Sequence, residues 1–166
     1  MGIAVELYMD KEMDDAMFER IAADCGGYFE EKGMHEVLYA ITTRSWEKDD
    51  RAKLELLGIA DLALLIGTID DLGPEDMEWR TPLQVAQAAD RLGDHLQARN
   101  PAVGFVVGTF EERFGNHDEA ARDLALEFEE GEGSWAFLES EVRNLAKVAR
   151  WLAANDVPRV TFLQVL

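Results

Sequence analysis

The chain has 166 residues with a formal net charge of −18, carried by 34 acidic against 16 basic side chains. Apolar residues make up 48%, including 8 Phe and 4 Trp, which excludes a disordered acidic tail and predicts one domain with a substantial core. A surface this negative repels phosphate backbones, so DNA and RNA are excluded as expected partners.

The N-terminal stretch MGIAVELYMDKEMDD has no basic start, and Glu6 interrupts its apolar run, so it does not read as a signal peptide. The longest apolar run, Leu62 to Ile66, is about a quarter of a membrane span. Cys25 is the single cysteine and has no partner for an internal disulfide. A cytoplasmic location without membrane contact is expected.

In chain order, residues 3–8 (IAVELY) predict a short strand. Asp10 is expected to open a helix with Met13, Met17, Phe18 and Ile21 on one face, stopped by Gly26 and Gly27. Residues 34–43 (MHEVLYAITT) fit either a helix, by the spacing of Val37, Leu38 and Ile41, or a strand from Tyr39. Ser45 is placed to cap a helix ending near Leu57, residues 59–66 read as a buried helical piece, and 67–80 read as a loop.

The next signal is sharper. Thr81-Pro82-Leu83-Gln84 combines an N-cap threonine, proline at the first helical position and glutamine at the third. Two backbone N–H groups left free at a helix start can then be satisfied reciprocally by side chains. Leu83, Ala86, Ala89, Leu92 and Leu96 are expected on the buried face of this helix, which should run to about Arg99. A strand is expected over 102–107 (AVGFVV) and a helix from Asn116 to about Glu129. Ser134 is placed to cap a last helix with an apolar stripe of Leu138, Val142, Leu145, Ala149 and Leu152. Asn155, Asp156 and Pro158 should end it, and Arg159–Val165 should form a closing strand. The expected fold class is therefore α+β: a single compact domain over 1–166, helix-rich, with a few short strands including one at each terminus.

Motifs of phosphate, nucleophile and metal chemistry are missing: there is no P-loop, GxGxxG, GxSxG, HExxH or CxxC. Cys25 falls at the end of its predicted helix, where the dipole and Asp24 should keep the thiol protonated, so it reads as a small buried residue. The histidines His35, His95 and His117 are widely separated, and none has a histidine one helical turn away. His35 falls in an apolar segment one turn before Tyr39, and with Trp46 it defines an alternative pocket. No catalytic residue, metal or cofactor is expected.

The distribution of acid is more informative. Residues 70–78 (DDLGPEDME) hold Asp70, Asp71, Glu75, Asp76 and Glu78 without a single base, and Trp79 follows directly. Residues 127–132 hold Glu127, Glu129, Glu130 and Glu132, with Trp135 shortly after. An acidic loop beside an aromatic suits a basic partner: charge steers the encounter and a central ring supplies affinity. The bland alternative is a solvated acidic surface with the tryptophans packed inside.

Three stretches resemble the YfbM-like proteins, a bacterial family without an assigned activity. They are MHEVLYAIT (34–42), LGPEDMEWRTPLQVAQAADRL (72–92), and the closing helix and strand from Ser134 to Val165. Met34 stands where that family's pattern has a tryptophan before the histidine. The resemblance implies an α+β domain and assigns no catalytic residue. The leading expectation is a non-enzymatic interaction protein that binds a basic protein partner through Asp70, Asp71, Glu75, Asp76, Glu78 and Trp79. Its most concrete form is an immunity-type inhibitor that masks the cationic active site of a toxin. The alternative is a small-ligand domain or hydrolase with a cleft around His35, Tyr39 and Trp46.

Overall fold

A computed structural model describes residues 4–25, 55–63, 66–68, 79–98 and 132–165. In chain order these form β1 (Ala4–Met9), α1 (Asp15–Cys25), α2 (Ala60–Ala63), β2 (Ile66–Thr68), α3 (Pro82–Gln97), α4 (Glu132–Ala154) and β3 (Val160–Val165). The described chain is mostly helical with a small mixed sheet, an α+β arrangement. The ambiguous segment 34–43, the start of the Ser45 helix, the strand expected over 102–107 and the helix expected from Asn116 lie outside the described residues.

The sheet order is β1-β3-β2. The two terminal strands pair antiparallel, from Ala4 opposite Val165 to Met9 opposite Val160, while β2 runs parallel to β3 with Ile66 beside Phe162. In β1 the side chains of Leu7 and Met9 pack on the core and Tyr8 turns outward, the period-two alternation of a strand with one buried face. The central strand differs: Val160, Thr161 and Phe162 are consecutive and all buried, so both faces of the sheet are covered there.

Helix α1 begins five residues later than expected. Asp14 is its cap, its carboxylate Oδ1 accepting the Met17 N–H at 2.7 Å. Asp10 is occupied elsewhere, donating its backbone N–H to the Arg159 carbonyl at 2.9 Å as an extension of the β1–β3 ladder. Met17, Ile21 and Cys25, spaced four apart, form the buried stripe. Phe18 lies at its rim and is 44% exposed, against expectation.

Two further expectations are corrected between 59 and 80. The helical piece is short, Ala60–Ala63, and Ile66–Thr68 is strand. Arg80 also leaves the expected loop, forming an antiparallel bridge with Val160. Ahead of α2, Gly58 holds φ at 69°, a left-handed turn that glycine adopts without cost. A Cβ at this glycine would sit 3.0 Å from Nε of Arg91, which donates to the Gly58 carbonyl.

The capping box at Thr81 forms as the sequence dictates. Thr81 Oγ1 accepts the Gln84 N–H at 3.3 Å, and Gln84 Oε1 accepts the Thr81 N–H at 3.0 Å. Replacing Thr81 by alanine removes one acceptor and is expected to cost about 1 kcal/mol in urea unfolding; an unchanged midpoint would contradict that role. Downstream, the buried face of α3 consists of Pro82, Val85, Ala86, Ala88, Ala89, Leu92, Gly93 and Leu96. Leu83 is 53% exposed instead. At about 100° per residue it points roughly 130° away from the centre of that face.

Helix α4 starts at Glu132, so Ser134 is inside the helix rather than its cap. Val142, Leu145, Ala146, Val148, Ala149 and Leu152 are buried, and α4 packs more extensively on α3 than any other described pair of elements pack on each other. Small residues on both helices, Ala86, Ala89 and Gly93 facing an alanine-containing stripe, permit this close approach. At Gly93 a Cβ would lie 2.7 Å from the Arg143 guanidinium, so that side chain crosses the helix where glycine leaves room for it. The helix ends as expected. Asp156 takes φ 61° and the Val157 N–H donates to the Leu152 carbonyl at 3.0 Å, turning the chain into β3.

Candidate functional site

Three segments far apart in sequence converge on Val160. On one side Val160 faces Met9 of β1; on the other its N–H and carbonyl exchange hydrogen bonds with Arg80 at 2.8 and 2.9 Å. The neighbours of these residues, Asp10, Trp79 and Arg159, are thereby brought to one corner of the sheet. The Arg159 guanidinium sits 5.3 Å from the centroid of the partly buried Trp79 ring. Its Nε and Nη2 both donate to Asp10 Oδ2, at 2.8 and 2.6 Å. Arg80 folds back to donate to the Trp79 carbonyl at 3.1 Å, and Lys11 donates to the Asn155 carbonyl at 2.8 Å.

The ion pair is open to water, with Arg159 and Asp10 side chains 53% and 41% exposed. Such a pair contributes about 0.2–1 kcal/mol, and a cation over an exposed ring about 0.5–1 kcal/mol. The fold therefore does not depend on this corner, and the backbone bonds around Val160 hold its components in place.

Of the residues expected to contact a partner, Trp79 is in this corner. Asp70, Asp71, Glu75, Asp76 and Glu78 lie outside the described residues, as do His35, Tyr39 and Trp46 of the alternative pocket. Arg159 and Asp10 were not singled out by sequence reasoning. No local pattern links positions 10, 79 and 159; the pairing of the terminal strands brings 10 to 159, and the Arg80–Val160 bridge brings 79 to both.

A second charged cluster joins α3 to α4. Arg143 Nη2 donates to Asp94 Oδ1 at 2.6 Å, Nη1 donates to the Asp90 carbonyl at 3.1 Å, and Nε lies 3.5 Å from Glu139. Arg150 pairs with the Asp90 carboxylate. The bond to Asp94 raises the Arg143 guanidinium above its ordinary value, with Glu139 and Asp90 adding to the effect and burial opposing it. Asp90, Asp94 and Glu139 thus share two guanidiniums, which offset part of the charge on this face.

Cys25 is buried, 5% exposed, at the end of α1. Burial pushes its thiol above the ordinary value of 9.0, Lys147 opposes the shift and Asp24 adds to it. The direction is the expected one, but desolvation rather than the neighbouring acid is the main cause. Asp24 itself accepts a hydrogen bond from Trp151 Nε1 at 2.8 Å. Alkylation of Cys25 by iodoacetamide near neutral pH is expected to run more than about tenfold slower in the folded than in the urea-unfolded chain. Equal rates would contradict the burial. Because the folded chain holds this proton longer, the thiol leaves stability intact below pH 9.0 and lowers it as pH rises past that value.

Among the described residues, no group of three or more His, Cys, Asp or Glu side chains is placed to hold a metal ion, and no helix is long and apolar enough to cross a membrane. No protein-family model, curated protein or solved structure matches the chain.

Proposed function

We propose that this chain is a non-enzymatic interaction protein, one α+β domain whose acidic surface binds a basic protein partner. The observation that carries the reading is the charge: −18 overall, with five acids and no base over 70–78 leading directly into Trp79. Long-range attraction from such a surface raises the encounter rate with a cationic protein, and a partly buried aromatic at its edge supplies short-range affinity.

In its most specific form the reading is an immunity-type inhibitor. Carboxylates would then take the place of the phosphates that the Lys and Arg side chains of a cationic toxin normally hold, occluding its cleft. Asp70, Asp71, Glu75, Asp76, Glu78 and Trp79 form the proposed contact set. The likeness of 72–92 to the YfbM-like proteins includes this acidic turn and adds no activity to it.

The test is capture of partners from the native lysate on the immobilised chain, eluted by a salt step and identified by mass spectrometry. A stoichiometric basic protein released by salt is the expected result. Recovery of a stoichiometric partner that is acidic, or that salt does not release, would contradict the reading.

A further inference from the structure

We propose that the Trp79 ring and the Asp10 carboxylate form a cradle for an arginine side chain of the basic partner, and that Arg159 fills this cradle while the partner is absent. The inference rests on the interaction reading above and gives it a chemical detail.

An aromatic face and a carboxylate set at right distances are the two elements that recognise a guanidinium: the ring attracts the cation and the carboxylate accepts its N–H groups. Both are present here around Arg159, with the ring centroid at 5.3 Å and Asp10 Oδ2 at 2.8 and 2.6 Å from two guanidinium nitrogens. The cradle is preorganised by backbone. Asp10 is tied by its N–H to the Arg159 carbonyl, and Arg80, the residue after Trp79, is tied by reciprocal bonds to Val160. None of those bonds uses the Arg159 side chain, so the backbone that carries both walls stays tied when its guanidinium leaves.

The occupant is weakly held. Its side chain is 53% exposed, and each contact it makes is of the size typical of solvent-exposed groups. A partner arginine delivered by a charged surface can therefore exchange with it, and Arg159 lowers affinity by competing for the same ring and carboxylate. Competition of this kind also raises selectivity, since a basic surface with no arginine at the matching position gains nothing from the cradle.

The probe is a fluorescent hexa-arginine peptide, titrated by anisotropy at low salt against wild type, Arg159→Gln, Arg159→Lys, Arg20→Gln and the double variant Arg159→Gln/Trp79→Leu. Arg20 is exposed on α1 and is not one of the cradle's residues, so Arg20→Gln matches the charge change outside it. Arg159→Gln is expected to bind about threefold to tenfold more tightly than Arg20→Gln, with the gain erased by Trp79→Leu. Arg159→Lys keeps the charge and stacks less well, and should bind more tightly than wild type by a smaller factor. It also serves as the variant of record if Arg159→Gln lowers the urea midpoint. Equal affinity of Arg159→Gln and Arg20→Gln, with salt-sensitive binding by every variant, overturns the cradle and leaves the acidic-surface reading standing. No binding by any of the five overturns both.

Discussion

Replacing Phe162 by alanine is expected to cost about 3–5 kcal/mol, the largest single loss available in the described core. Phe162 is fully buried in the central strand, opposite Leu7 of β1 and beside Ile66 of β2. Removing its ring forfeits apolar burial and leaves a void that strands paired on both sides cannot easily close. Against a typical total of about 5–15 kcal/mol, this change leaves the chain marginal. Phe162→Leu, which keeps most of the volume, should cost less than about 1.5 kcal/mol. Urea unfolding measures both, and a Phe162→Ala loss below about 1 kcal/mol would contradict the assignment of β3 as the core strand. The consequence reaches the candidate site, because Val160, two residues upstream, is where the segments bearing Asp10, Trp79 and Arg159 are tied together.

The second large effect is electrostatic. Changing Asp70, Asp71 and Asp76 together to lysine reverses the sign of the acidic run over 70–78. Association with the captured basic partner should slow by about tenfold or more at low ionic strength, because opposite charge raises encounter rates by about 10–1,000-fold. The dissociation rate should rise as well, since carboxylates that hold a partner's cations are contacts as well as steering charges. Stopped-flow mixing reads the rate directly. An unchanged association rate would remove 70–78 as the contact surface, whatever the partner proves to be.

What the sequence reveals of this fold follows the range of the forces involved. The Thr81 box is legible because all its bonds close within three residues. The α4 stripe and its end at Asn155–Asp156 are legible because period and turn chemistry are local. The start of α1 is not: Asp10 and Asp14 are equally good caps in isolation, and Asp10 is withdrawn from the role by Arg159, 149 residues away. Ile66–Thr68 continues an apolar run that fits helix as well as strand, and its parallel pairing with β3 decides the matter. Leu83 shows the limit of apolar periodicity, since a leucine in the first turn of α3 satisfies the expected pattern yet points away from α4.

The candidate site divides in the same way. Trp79 is visible in the sequence as an aromatic following five acids. The guanidinium above it is invisible there, because Arg159 reaches it only when Arg80 bridges to Val160 at the start of the last strand. Gly93 is similar: it resembles an ordinary flaw in a helix until Arg143 is seen lying across it. A local reading therefore finds the aromatic ring of the corner and misses the cation over it and the carboxylate that holds that cation.

The association rate of the captured basic partner with the wild-type chain, followed from about 0.01 M to about 1 M ionic strength, tests the central claim most directly. Screening shortens from roughly 30 Å to roughly 3 Å over that range. If the acidic surface steers binding, the rate falls by about tenfold or more as salt rises. A rate that stays constant across the range would contradict the account, because an interface indifferent to salt does not depend on the charge that defines this chain.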